Sequence, residues 1–257
     1  MTKASALSGK VALITGGGRG IGRAIALALG SAGVTLALTA RTRAQLDAVA
    51  AELDSAGAGT PTVQEMDLAA AESIAGGLRR IRAAHPRIDI LVNNAGIAES
   101  APLAKTSPEL WQRHLAVNAT APFLLSRALV PAMVERRWGR VVNIASIAGL
   151  GGAPYIAAYA ASKHALIGLT RALAAETAGT GVTVNAICPG YVATDMVWSG
   201  ARRITEKTGK SFDEALAAMA GFNASGKLIE PEAVAAAVLD LCAEEAAGRT
   251  GLTVVLS

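Results

Sequence analysis

Seven short apolar runs recur along the chain, each separated from the next by a segment with helical spacing. Val11–Thr15, Thr35–Ala40, Thr62–Met66, Ile88–Asn93, Arg140–Ile144, Val182–Ile187 and Leu252–Leu256 have strand length and are dominated by β-branched and aliphatic residues. Between them, Ile21, Ile25 and Leu29 form one apolar stripe, Leu46, Val49, Ala50 and Leu53 a second, and Ile74, Leu78 and Ile81 a third. Strands apolar on both faces must be covered on both, and alternating strands and helices do this through right-handed crossovers. The pattern predicts an α/β fold: a doubly wound, seven-stranded parallel sheet with helices on both faces. No linker or internal repeat divides residues 1–257, and 52% hydrophobic against 17% charged residues is enough to fill one large core.

Several helix starts carry their own signals. Thr42 with Gln45 has the spacing of a capping box, and Ser107-Pro108-Glu109 and Glu230-Pro231-Glu232 place Pro at a first helical position. The segment 194–228 is too long for an ordinary connection and is expected to be a lid, with a helix over Phe212–Phe222.

The first run leads directly into Thr15-Gly16-Gly17-Gly18-Arg19-Gly20-Ile21-Gly22, which opens a helix. A strand, spaced glycines and a helix N-terminus together allow backbone N–H groups to approach a pyrophosphate, the signature of a Rossmann dinucleotide site. At the end of the second strand, where NAD-binding proteins carry an acid for the ribose 2′-hydroxyl, this chain has Ala40 and Arg41. A guanidinium there can pair bidentately with a 2′-phosphate, and Arg19 offers a second positive charge. The expected cofactor is therefore NADP(H); the plainer alternative is that both arginines face water at exposed turns.

Tyr159 and Lys163 stand four apart on a predicted helix and share a face. A phenol of pKa ~10 is a poor base at neutral pH. A neighbouring ammonium, with an oxidised nicotinamide, is expected to lower it, so that Tyr159 can donate or accept a proton. Ser146 ends the fifth strand at the edge where open α/β sheets hold ligands, and its hydroxyl can hold a substrate oxygen.

Thr15-Gly16-x-x-x-Gly20-x-Gly22, Asn93-Asn94-Ala95-Gly96, Asn118, Ser146, Tyr159-x-x-x-Lys163 and Pro189-Gly190, in this order, resemble the short-chain dehydrogenase/reductase family over almost the whole length. Within the family the pattern is similar to the branch that reduces 3-oxoacyl thioesters of coenzyme A or acyl carrier protein. The resemblance implies catalytic roles for Asn118, Ser146, Tyr159 and Lys163, with Asn118 positioning a water linked to Lys163. It also implies cofactor contacts from Gly16, Gly18, Arg19, Gly20, Ile21, Gly22 and Arg41; from Asp67 (at the adenine) and Leu68; and from Asn94, Ala95 and Gly96. Further along, Tyr159, Lys163, Pro189, Gly190, Val192 and Thr194 complete the implied cofactor set. A homotetramer or homodimer, built on the helices around 111–134 and 155–178, is implied as well. Many members continue past the last strand with an acidic, glycine-containing tail, whereas the sequence here stops at Leu256-Ser257, a departure that bears on C-terminal packing or the subunit interface.

Other function classes fit poorly. The net charge of +4 is spread thinly, without the basic block and interleaved aromatics of a nucleic-acid site. His85, His114 and His164 match no metal spacing, and Cys188 and Cys242 form no CxxC, so no metal site and a reducing cytoplasm are expected. Met1–Lys10 has no apolar leader, and Val141–Ser162, though uncharged, contains too many breakers for a membrane span. The sequons at Asn118 and Asn223 are read as chance. Cys188 and His164 are read as a core thiol and an off-face residue.

The lid offers Met196, Val197, Trp198, Met219 and Phe222 as apolar groups with Arg202, Arg203, Lys207 and Lys210 between them, a mixture that suits an acyl thioester. Reduction of a 3-oxoacyl thioester to the 3-hydroxy form is the leading expectation. An enzyme of free ketones or secondary alcohols is the alternative, and a non-catalytic NADP(H)-sensing protein is a third.

Overall fold

All seven strands are parallel and lie in the order β3-β2-β1-β4-β5-β6-β7. They are β1 Val11–Thr15, β2 Thr35–Ala40, β3 Thr62–Glu65, β4 Ile90–Asn93, β5 Gly139–Ile144, β6 Val182–Pro189 and β7 Thr253–Leu256. The computed structural model describes residues 7–257; the first six residues of the segment read above for a leader lie outside the described residues. Helices α1 Gly20–Ser31, α2 Arg43–Ser55, α3 Ala71–Ala84, α4 Pro108–Leu115, α5 Ala121–Glu135, α6 Ala157–Glu176, α7 Asp195–Thr208, α8 Phe212–Ala220 and α9 Pro231–Cys242 complete the chain.

Strand composition explains the layering. Every residue of β5 and β6 is buried, including Asn143, Asn185 and Arg140, because helices cover both faces. One core cluster joins α1, α2 and α9 through Ile25, Leu29, Leu46, Leu53, Val238 and Leu241. The opposite one joins α3 and α5 through Ile74, Ile81, Leu125, Leu129 and Met133. The strand order reverses between β1 and β4, and the carboxyl ends there face the crevice in which such sheets bind ligands.

Two sequence-based expectations are corrected. Thr42 occupies the N-cap of α2 in extended backbone, but its side chain makes no capping bond. Ser146 lies two residues past the end of β5, where its hydroxyl accepts from Ala148 N and caps a 3-10 turn over Ile147–Gly149. The cap at Ser107 holds, accepting from Leu110 N.

The 194–228 segment holds two helices. Val197, Ala201, Ala215 and Met219 pack α7 on α8, and Ser211 and Glu214 form a capping box at the start of α8. The segment's base is closed by pairing of Val192 with Ile229 and by Asn223, whose amide accepts from Tyr191 N and donates to the carbonyls of Tyr191 and Lys227. A Cβ on Gly190 would stand 2.1 Å from Asn223 Oδ1, which explains the glycine. Asn118 and Asn223 are both buried, so neither sequon presents an acceptor. One helical run, 108–135, is long and apolar enough to cross a membrane; its buried side belongs to the core described above.

Candidate active site

The glycine-rich turn depends on two left-handed residues and one close approach. Gly16 (φ +67°) and Gly20 (φ +51°) take left-handed backbone, and a Cβ on Gly22 would meet Gly16 O at 2.0 Å. Arg19 is the extended N-cap of α1 and no side chain caps the helix, so its first amides are free for an anion. Thr15 and Asn94 lock this turn to the end of β4. The Thr15 hydroxyl accepts from Asn94 N and Ala95 N, and Asn94 Nδ2 donates to Thr15 O and Gly16 O.

Arg41 is exposed and has no ion-pair partner among the described residues. It lines a cleft of about 410 Å³ together with Glu65, Met66, Asp67 and Ser73. The absence of an acid beside Arg41 in sequence is thus qualified in space, since β3 brings Glu65 and Asp67 to the same cleft. One Asp67 oxygen is taken by Ala69 N. Arg19 does not stand free: it pairs with Asp195 at 3.2 Å, tying the glycine turn to the first residue of α7, beside Thr194. Leu68, Pro189 and Val192 are buried, so their side chains serve the core and leave only main-chain groups for a ligand.

Asn118, Ser146, Tyr159 and Lys163 converge beyond the ends of β4 and β5. Asn118 lies in a π-helical turn, Ala116–Thr120, that joins α4 to α5. It accepts from Ile97 N and donates to Ile97 O and to Ser162 Oγ, each at 2.9 Å. Both amide hydrogens are engaged, and a second lone pair on Oδ1 is what the side chain has left for a water. Ser162 in turn donates to Tyr159 O. Lys163 is almost fully buried and donates to Ile144 O at 2.9 Å, next to Gly96.

The electrostatics differ from the simplest expectation. Burial pushes the Tyr159 phenol above its ordinary value, a hydrogen bond with Ser146 acts the other way, and nearby Tyr191 adds to the rise. Lys163 does not bring the resting phenol below its ordinary value: its nitrogen lies 5.8 Å from the ring centroid, donates to Ile144 O, and is itself lowered by desolvation to about 8. The protein's own groups therefore keep Tyr159 a protonated phenol at neutral pH.

Sequence reasoning did not find Tyr191, Ser162, Ile97 or His114. Tyr191 follows the Pro189-Gly190 motif and packs its ring 5.8 Å from Phe222, a position the motif could have flagged. Of the lid's apolar candidates, Met196, Trp198 and Phe222 are exposed, whereas Val197 and Met219 are consumed in packing α7 on α8. Cys188 is fully buried and its thiol is raised by desolvation, in line with a core role. His164 Nδ1 donates locally to Ala160 O and the residue is exposed, away from the cluster.

Residues 10–204 match the model of the short chain dehydrogenase family. The chain belongs to that family. Members that resemble it include a 3-oxoacyl-[acyl-carrier-protein] reductase of Aquifex aeolicus, 39% identical over 95% of this chain and 94% of that protein. An acetoacetyl-CoA reductase of Rhizobium meliloti is 40% identical over 95% of each. Among solved structures, L-sorbose reductase of Gluconobacter frateurii, complexed with NADPH and L-sorbose, superimposes with a TM-score of 0.92 at 30% identity, covering 99% of this chain and 97% of that one. This short-chain dehydrogenase is accordingly an oxidoreductase with the family's sheet and helix arrangement.

Proposed function

We propose that the protein is an NADP(H)-dependent reductase of 3-oxoacyl thioesters, acting through Tyr159, Ser146, Lys163 and Asn118. The observation that carries this is the convergence of buried Ser146 and Lys163 with half-buried Tyr159 at the carboxyl end of the sheet that also bears an uncapped α1 N-terminus. The free amides of α1 and the unpaired Arg41 fit a pyrophosphate and a 2′-phosphate, and the related L-sorbose reductase was solved with NADPH. When bound, the nicotinamide supplies or takes the hydride.

The chain's own residues handle the proton. Ser146 positions the carbonyl oxygen beside the Tyr159 hydroxyl, which gives up its proton as negative charge develops. The Lys163 ammonium, held in low dielectric by Ile144 O, stabilises the resulting phenolate. Asn118 fixes Ile97 and, through Ser162, the first turn of α6. A phenol kept protonated suits the reductive direction.

The thioester assignment rests on α7. Met196 and Trp198 are exposed there, on the same helix as Arg202 and Arg203, and Arg203 Nε is buried without a hydrogen-bond partner among the described residues. Such a surface offers an acyl chain apolar contact and a phosphate-bearing carrier a charge-assisted one. The double variant Arg202→Ala/Arg203→Ala is expected to lower kcat/KM for acetoacetyl-CoA by about tenfold or more, with simple ketones changed by less than about twofold. Equal rates on the thioester would remove the basic-lid argument. The second reading, an enzyme of free ketones or alcohols, is favoured by the relative that binds L-sorbose. A homotetramer or homodimer through α5 and α6, and a reducing cytoplasm consistent with buried free Cys188 and Cys242, belong to the same proposal.

A further inference from the structure

His114 is fully buried on α4, one turn before Asn118, and has no part in the chemistry described above. Its two nitrogens face groups of fixed character. Nε2 lies 3.1 Å from Glu99 N, which can only donate, and Nδ1 lies 2.9 Å from Leu110 O, which can only accept. These contacts assign the donor to Nδ1 and the acceptor lone pair to Nε2. With both nitrogens used, the ring meets Tyr159 through ring contact alone, centroids 6.4 Å apart at an interplanar angle of 72°. It thus touches the tyrosine without competing for its proton.

Glu99 belongs to a wall beside the site that is tied at every second residue. Ile97 is held at both backbone groups by Asn118, Glu99 N by His114 and its carboxylate by Arg113, and Ala101 N donates to Tyr155 O at 2.8 Å. Tyr155 adopts φ +69°, a strained conformation for a bulky residue, at the point where this wall meets the segment leading into α6. Among these ties, His114 also abuts the Tyr159 ring.

We propose that His114 is a positioning residue with two separable functions: its ring edge sets the orientation of Tyr159, and its Nε2 acceptor fixes the substrate wall at Glu99. The inference rests on Tyr159 being the proton donor. Two variants divide the functions. His114→Gln keeps an acceptor within reach of Glu99 N and removes the ring; His114→Phe keeps the ring and strands the Glu99 amide.

The test measures kcat, KM and thermal midpoint for both variants, and NADPH affinity by fluorescence, with Tyr159→Phe in parallel and a substrate that the unaltered enzyme reduces. His114→Gln is expected to lower kcat by about tenfold with KM within about threefold. His114→Phe is expected to raise KM by about tenfold with the smaller change in kcat. NADPH affinity should stay within about twofold in both. If one variant does not fold, the other still decides through its own kcat and KM. Parallel losses in kcat and KM in both, or no change in either, would overturn the proposal and leave His114 as packing. If Tyr159→Phe itself keeps turnover, the assignment of the proton donor fails and this inference fails with it; a dead Tyr159→Phe beside an unaffected His114→Gln sinks the inference alone.

Discussion

Replacing Tyr159 by Phe is expected to reduce turnover by about a thousandfold while NADPH affinity stays within about twofold. The substitution deletes one oxygen and keeps the ring that packs against His114, so the pocket's shape is preserved. What disappears is the proton on the hydroxyl that hydrogen-bonds with Ser146. A carbonyl accepting hydride without a donor must develop alkoxide charge with Ser146 alone to meet it. Steady-state rates alongside a fluorescence titration of NADPH separate the two effects. Retained turnover would refute the assigned donor, and lost cofactor binding would show that the ring had moved.

The second large effect concerns Lys163. Lys163→Met is expected to lower kcat by about a hundredfold, because the phenolate formed at Tyr159 then lacks its countercharge. The same change should stabilise the protein. In the folded state the ammonium is lowered to about 8 by desolvation, against an ordinary value of 10.5. Below both values the chain is protonated folded and unfolded, and the full cost of the buried charge is present. Between them the unfolded chain holds one proton more than the folded one, so stability rises with pH across that window. Removing the charge recovers about 3 kcal/mol at neutral pH. Chemical denaturation of the cofactor-free enzyme at pH 7 and pH 10 checks the sign: the wild type should gain on the rise, the variant should not. The reductive rate of the wild type should fall above about pH 8 as the ammonium is lost.

A protein more stable and less active after one substitution is the behaviour expected where a site stores strain for its chemistry. Tyr155 at φ +69° shows the same tension nearby in the backbone.

Periodicity made the sheet legible because burial on both faces leaves so little choice of residue. The predicted ends of β1 and β2 coincide with the observed ones, and the rest differ by one or two residues: β3, β4 and β7 are shorter, β5 begins one residue earlier and β6 continues past its apolar run through Pro189. The glycine turn was legible because its backbone tolerates nothing else at Gly22. Ser146, Tyr159 and Lys163 were visible through spacing, but their balance of charge was not. Whether Lys163 lowers Tyr159 depends on Ile144 O and on burial, and neither is written in an i, i+4 pair.

Residues acting through the fold were invisible for the same reason. His114 meets Glu99 fifteen positions away and Tyr159 across two helices. Asn118 spends its side chain on Ile97 and Ser162, 21 positions before it and 44 after. Arg19 read as a free charge in sequence because its partner, Asp195, lies 176 positions away. Thr42 has the residue type and spacing of a capping box, but spacing alone does not fix the direction of its hydroxyl, which makes no capping bond.

The most direct test of the proposed activity is a comparison of NADPH and NADH oxidation by the unaltered enzyme against 3-oxoacyl thioesters and simple ketones of matched chain length. Rapid turnover of a thioester with NADPH is expected, uniting the exposed Arg41 with the mixed apolar and basic surface of α7. Turnover confined to free ketones, or a preference for NADH, would contradict the proposal.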